Sequence, residues 1–214
     1  NSMIRVGNAA YARDNKSFGL TTLRTRHVAI EGSSLRFAFR GKSGKEWKIK
    51  LVDRRMARII RSVQELPGQH LFQYLAEDGS RRSVTSQDVN EYIREATGAD
   101  FSSKHFRTWA GTVRALSLFT ATQLPETKTH TNRTMNTTID QVAAQLGNTR
   151  AVCRKCYIHP AVIERWQDGA LAEDLSNTRA RLRAPMRGLQ ADEAVVYAWL
   201  KGAVRKSGTR KKLH

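Results

Sequence analysis

The spacing of apolar residues in this chain changes its period after the first quarter. From Leu20 onward apolar and polar positions alternate, and His27-Val28-Ala29-Ile30-Glu31, Leu35 to Phe39 and Trp47 to Val52 read as three short strands. Glu31-Gly32-Ser33 and Gly41-Lys42-Ser43-Gly44 separate them with turn residues, which predicts a three-stranded antiparallel meander over about residues 26–52. Further on, apolar residues recur at helical intervals over 53–65, 86–97, 104–121, 138–146 and 150–168. Asp53 and Ser86 suit the N-caps of the first two of these helices. The expected fold class is mainly α with a small antiparallel three-stranded β-sheet (α+β), a helical body carrying the sheet near its start.

Two regions lack this order. Pro125 to Thr134 is polar, threonine-rich and without apolar period, and predicts a mobile basic linker over about residues 122–137, ahead of a tyrosine-bearing helix at about 150–158. Beyond residue 170 the chain reads as a basic helical extension, 171–214. There Arg179-Ala180-Arg181-Leu182-Arg183 and the run Arg205 to Lys212 bracket an amphipathic helix around Ala191 to Val204, and residues 205–212 are expected to fray. The opening Asn1-Ser2-Met3 reads as a cloning scar, and Ile4 to Asn8 begins abruptly, so a fragment of a longer protein is expected.

Charge narrows the function. The 214 residues carry 37 Lys and Arg against 19 Asp and Glu, a formal net charge of +18, which suits a polyanionic partner better than a small neutral substrate. No run approaches the roughly 18 apolar residues of a membrane span and no signal-peptide pattern opens the chain, so a soluble cytoplasmic protein with no membrane partner is expected. Cys153 and Cys156 make a single Cys-x-x-Cys. With His159 it offers half a zinc site or a redox pair, while at helical spacing beside Tyr157 the two thiols also fit a core-facing pair. The six histidines show no metal-binding spacing, and there is no glycine-rich phosphate loop.

The candidate chemistry centres on Tyr157, in Leu146-Gly147-Asn148-Thr149-Arg150-Ala151-Val152-Cys153-Arg154-Lys155-Cys156-Tyr157. A phenol among cations such as Arg150, Arg154 and Lys155 has what attack on a phosphodiester needs, a nucleophile and positive charge for the transition state. A packed tyrosine with a satisfied hydroxyl is the other reading.

Five collinear motifs resemble one family, the type IB DNA topoisomerases, and in particular its compact bacterial and poxvirus-like branch. They are Ile4-Arg5-Val6-Gly7-Asn8; Gly19-Leu20-Thr21-Thr22-Leu23-Arg24 with His27-Val28; Phe39-Arg40-Gly41-Lys42-Ser43-Gly44-Lys45; Lys104-His105-Phe106-Arg107-Thr108-Trp109-Ala110-Gly111; and the Tyr157 segment. The resemblance covers about residues 4–168 and implies the catalytic-domain fold shared by tyrosine recombinases and topoisomerases IB. It makes Tyr157 the nucleophile, Arg5 and Arg107 the paired guanidiniums on the scissile phosphate, and Lys42 the hairpin lysine that protonates the leaving 5′-hydroxyl. Lys45 shares that turn and could substitute. Lys104 is implied to assist near the phosphate, and Lys104, Arg40, Lys45, Arg150, Arg154 and Lys155 are the expected DNA contacts.

Asn148 stands where many family members carry histidine. It can donate a hydrogen bond to a phosphate oxygen but cannot carry charge, so it is assigned to transition-state hydrogen bonding, with an N-cap of the tyrosine helix as its other role. The implied reaction cuts one strand of duplex DNA through a 3′-phosphotyrosyl bond and reseals it, with no ATP, metal or other cofactor. Duplex DNA is the expected partner, the chain is expected to be a monomer acting at a bacterial nucleoid, and an N-terminal DNA-clamp domain is expected to be absent from it. The predicted linker would let the tyrosine helix sit elsewhere, so partial disassembly of the site is expected without DNA, with Arg5, Lys42 and Arg107 not all within reach of Tyr157. Tyrosine recombinases share the fold and the residue set, although there His-x-x-Arg usually stands in place of Lys104-x-x-Arg107. A non-catalytic DNA-binding module is the remaining alternative.

Overall fold

The structure, a computed structural model, describes residues 2–210. The chain forms two compact units, Asn1–Phe106 and Arg107–His214.

In the first unit Asn8 caps α1 (Ala9–Asn15), its Oδ1 accepting from the Tyr11 amide at 2.9 Å. The meander follows as β1 (Val28–Glu31), β2 (Ser34–Arg40) and β3 (Glu46–Val52), antiparallel in the order β1-β2-β3, with Val28 opposite Phe37 and Phe39 opposite Trp47. Strand period two puts Leu35, Phe37 and Phe39 on one face. They are buried with Leu23, Val28 and Leu71 and with Ala57 and Ile60 of α2 (Arg54–Gln64), which Asp53 caps as expected.

A second, two-stranded ribbon, β4 (Gln73–Leu75) with β5 (Arg81–Ser83), was not expected. Its strands are three residues long and five of the six residues are exposed, so no alternation marks them. In α3 (Ser86–Thr97) the cap is Thr85 rather than Ser86. Thr85 Oγ1 accepts from the Asp88 amide at 3.2 Å while Asp88 Oδ2 accepts from the Thr85 amide at 2.8 Å, a reciprocal box that Ser86 cannot form because Val89 lies three residues on.

The second unit takes in α4 (Ser103–Thr120) from Arg107 onward and then α5 (Lys128–Leu146), α6 (Arg150–Cys156), α7 (Pro160–Gln167), α8 (Leu171–Arg181) and α9 (Ala191–Arg210). Most of the predicted linker is helix: residues 128–137 are the first half of α5, and only Ala121 to Thr127 connects it to α4. Threonine is a poor helix former because its hydroxyl competes for backbone groups, and here that competition is resolved within the helix. Thr127 caps the first turn, while Thr131, Thr137 and Thr138 each donate to the carbonyl four residues back, at 2.9, 3.0 and 3.0 Å. The apolar face begins only at Met135, which is why no period showed earlier.

The region read as one helix over 150–168 is two. Pro160 lacks an amide hydrogen and disfavours helical backbone before it, so α6 stops at Cys156 and His159 turns extended, with ψ 129°, to start α7. Residues beyond 170 are not an appended extension. Leu171 and Leu175 of α8 and Trp199 of α9 are buried, Arg165 Nε donates to Asp174 Oδ2 at 2.7 Å, and Trp109 Nε1 donates to Glu193 Oε1 at 3.0 Å. The boundary therefore falls at 106/107 instead of 170/171. Helix α9 spans most of the stretch expected to fray, and residues 211 and 212 of that stretch lie outside the described residues. Among the described residues no helix is long and apolar enough to cross a membrane.

Phe119 is fully buried, its ring centroid 5.1 Å from that of Trp166, whose Nε1 donates to the Thr122 carbonyl at 2.9 Å. Phe119→Ala is expected to cost about 3–5 kcal/mol in urea unfolding.

Candidate active site

In the first unit three hydrogen bonds tie down the backbone of Arg5 and Val6. The Leu20 amide donates to Arg5 O at 2.8 Å, and the Thr21 amide and hydroxyl donate to Val6 O at 2.7 and 2.9 Å. The two segments lie so close that a Cβ on Gly19 would come within 2.6 Å of Gly7 Cα and 2.7 Å of Arg5 O, which is why that position carries no side chain. Next along, the Phe18 amide donates to Arg40 O at 2.7 Å, joining this clasp to the end of β2.

The turn after β2 closes with the Gly41 amide on Lys45 O at 2.7 Å. Lys42 Nζ sits 5.8 Å from the Tyr11 ring and Lys45 Nζ 5.3 Å from the Trp47 ring, which stacks on Phe39 with 9° between planes. Aromatic rings thus face both lysine ammonium groups, a role for Tyr11 and Trp47 that no motif had signalled. Arg40 is exposed, with its guanidinium against Gly44. Burial and the charge of Arg5 hold the Lys45 ammonium below the ordinary lysine range, so Arg5 and Lys45 share one electrostatic neighbourhood. Lys104 is exposed in the first turn of α4. His27 is buried between Phe18 and Phe39, accepts from the Arg24 amide through Nδ1 at 3.1 Å, and is pushed toward its neutral form by burial and by Arg26 and Arg24; it is a structural residue.

The second unit holds the tyrosine. Helix α5 ends in a Schellman turn: Gly147 takes left-handed backbone, φ 60°, and the amides of Gly147 and Asn148 donate to the carbonyls of Ala144 and Ala143 at 3.3 and 2.9 Å. The Leu146 carbonyl at this end accepts from Arg107 Nη2 at 2.8 Å, an interaction that also suits the negative end of the helix dipole. Arg107 is only 6% exposed, and its Cζ lies 5.2 Å from the centroid of the Tyr157 ring. The structure therefore brings Arg107 and Tyr157 together. Asn148 lies in the turn between them, but the cap of α6 is Thr149, whose Oγ1 accepts from the Val152 amide at 3.4 Å.

The basic residues expected to touch DNA separate here. Arg150 makes a two-pronged ion pair with Asp140, which lowers the Asp140 carboxyl and raises the arginine. Arg154 and Lys155 are exposed, and with Arg150, Asn136 and Gln167 they line an open groove of about 730 Å³. Cys153 is buried and Cys156 exposed, so the two thiols do not form the core-facing pair the spacing allowed. Among the described residues no three His, Cys, Asp or Glu side chains cluster as a metal ion would require.

With this geometry in hand, comparison with known proteins is decisive. Residues 1–184 match the family described as eukaryotic DNA topoisomerase I, catalytic core. The chain belongs to this topoisomerase family. A DNA topoisomerase 1B of Acanthamoeba polyphaga mimivirus is 33% identical over 172 residues, 77% of this chain and 51% of that protein, so the chain spans about half the length of the curated relative it matches. The family match extends over α8, beyond the last motif visible in the sequence. The mostly helical body with its small antiparallel sheet is the fold of this topoisomerase core.

Two outcomes follow for the topoisomerase site. Burial pushes the Cys153 thiol up to about 11, against the opposing charge of Arg107, so iodoacetamide at pH 8 is expected to label Cys156 alone in the folded protein, read by mass spectrometry. The Lys45 ammonium is expected to titrate below the ordinary lysine range in an Nζ-detected NMR experiment, and Arg5→Ala is expected to move it back up. The unfolded chain holds this proton more tightly than the folded one, so the Lys45 penalty to stability is full below the folded value and lifts as pH rises from there to the ordinary lysine value.

Proposed function

We propose that this chain is the catalytic core of a type IB DNA topoisomerase of the compact bacterial and poxvirus-like branch, relaxing supercoiled duplex DNA as a monomer at the nucleoid. The observation that carries the reading is the guanidinium of Arg107, fixed at the end of α5 and lying on the ring of Tyr157. A phenol placed beside an always-protonated fork is prepared for a substrate whose transition state gathers negative charge on non-bridging phosphate oxygens. The branch is supported by the likeness to a viral DNA topoisomerase 1B.

In the proposed reaction the Tyr157 oxygen attacks the phosphorus and loses its proton to solvent. The phosphorus–O5′ bond breaks as the phosphorus–tyrosine bond forms. Arg5 and Arg107 bind the non-bridging oxygens, and Asn148 donates a hydrogen bond to one of them. Lys42 supplies the proton that makes the 5′-hydroxyl a leaving group, and Lys45, acidified beside Arg5, is a second proton source in the same turn. Lys104, Arg40, Arg154 and Lys155 bind flanking phosphates; Arg150, paired with Asp140, contributes less to that field than its charge suggested. The phosphotyrosyl bond conserves the energy of the cut strand, so resealing reverses these steps without ATP.

Negatively supercoiled plasmid in EDTA without ATP is expected to be relaxed by this chain, and a detergent quench to trap a covalent 3′ adduct. Tyr157→Phe is expected to lose both while retaining plasmid binding. Binding by both proteins with neither relaxation nor adduct would make the chain a non-catalytic DNA-binding module.

A further inference from the structure

The mechanism above uses the ring of Tyr157, yet the backbone that carries this ring has a holder of its own. Tyr157 ends α6 with φ −128° and ψ −8°, and Pro160 stops the helix from continuing, so the last carbonyls of α6 and the first amide of the next segment need partners elsewhere. Helix α4 supplies three of them. Thr108 Oγ1 donates to Cys156 O at 3.2 Å, and Thr112 Oγ1 donates to Tyr157 O at 3.3 Å while accepting from the His159 amide at 3.1 Å. Thr112 is 3% exposed. Between the two threonines a Cβ on Gly111 would meet Tyr157 O at 2.6 Å, so the tyrosine backbone lies directly on the α4 backbone.

Residues 107, 108, 111 and 112 share one face at helical spacing. One rigid helix therefore presents the arginine that lies on the Tyr157 ring together with the hydroxyls that fix its main chain on both sides. We propose that Thr112, supported by Thr108 and the bare face at Gly111, is a positioning residue for the nucleophile, setting the distance of the Tyr157 phenol from the arginine of the same helix. The inference rests on the reading of Tyr157 as the attacking group. It differs from a general stabilising role because tyrosine is the nucleophile in cutting and the leaving group in resealing. Misplacing it raises the same transition state from both sides, leaving the balance between cut and resealed DNA alone.

Thr112→Val keeps shape and removes the hydroxyl; Thr112→Ser keeps the hydroxyl. With saturating protein on supercoiled plasmid, Thr112→Val is expected to slow both relaxation and the approach to the trapped-adduct level by about 10- to 100-fold, the loss typical of a misplaced reacting group. The final adduct fraction and plasmid affinity stay at wild-type values, and Thr112→Ser restores most of the rate. A folded Thr112→Val protein of wild-type rate, a loss that follows plasmid affinity, or failure of serine to rescue would overturn the proposal. If thermal denaturation shows Thr112→Val unfolded, Thr108→Val at the less buried neighbour gives the same test, with slowed chemistry at unchanged affinity supporting the proposal and an unchanged rate overturning it. A wild-type chain that forms no adduct overturns instead the reading of Tyr157, and with it this inference.

Discussion

A helix cannot satisfy its own last carbonyls, and in the second unit the solution to that problem organises the site. A buried carbonyl without a donor costs about 1–3 kcal/mol. At the end of α5 the donor for Leu146 is the guanidinium of Arg107, so a backbone requirement of one helix fixes the side chain of another. Gly147 then reverses the chain into α6, whose own end rests on the hydroxyls of α4. Three helices meet through polar contacts at their termini while Phe119, Ile139, Leu146, Val142 and Val162 are buried in the same unit. Moving any of these ends moves the arginine relative to the tyrosine.

The first unit solves a different problem, that of presenting cations on a turn. Lysine stems are long and rotamer-rich, and ordering them costs entropy. Here the ammonium groups of Lys42 and Lys45 lie over the rings of Tyr11 and Trp47, and the turn is closed by main-chain bonds at its base. Arg5 comes from an irregular segment with no helix or strand to brace it. Its order comes from the close approach of Gly7 to Gly19, where two bare backbones lie together, and from hydrogen bonds to Leu20 and Thr21.

What the sequence made legible follows from where periodicity is strong. The meander announced itself because Leu35, Phe37 and Phe39 alternate with exposed residues against a single core, and α2 and α4 because their apolar faces are continuous. The ribbon β4–β5 stayed hidden because short exposed strands bury too little to leave a pattern. The start of α5 was misread because its helical hydrogen bonding depends on threonine hydroxyls, which resemble loop chemistry in one dimension. Motifs alone single out Tyr157, Arg107, Arg5 and the two turn lysines as candidates, whereas the pairing of Arg150 with Asp140 joins positions on two helices and leaves no mark in the sequence. Gly111 did leave a signal: a glycine inside a helix costs about 1 kcal/mol relative to alanine, and it marks a place where another backbone comes close.

The threonine-rich start of α5 gives the second unit an uneven firmness. Its first turns contain Lys128, Thr129, His130, Asn132 and Arg133, all exposed, and its buried face opens only at Met135. Its far end is closed by a Schellman turn and a buried arginine. Unwinding from the Lys128 end exposes almost no apolar surface, whereas unwinding from the Leu146 end uncovers the core and releases Arg107. The helix is thus held at its entrance by hydroxyl hydrogen bonds and at its exit by the core and the arginine, so of its two ends the exit is the one whose integrity the pairing of arginine and tyrosine requires.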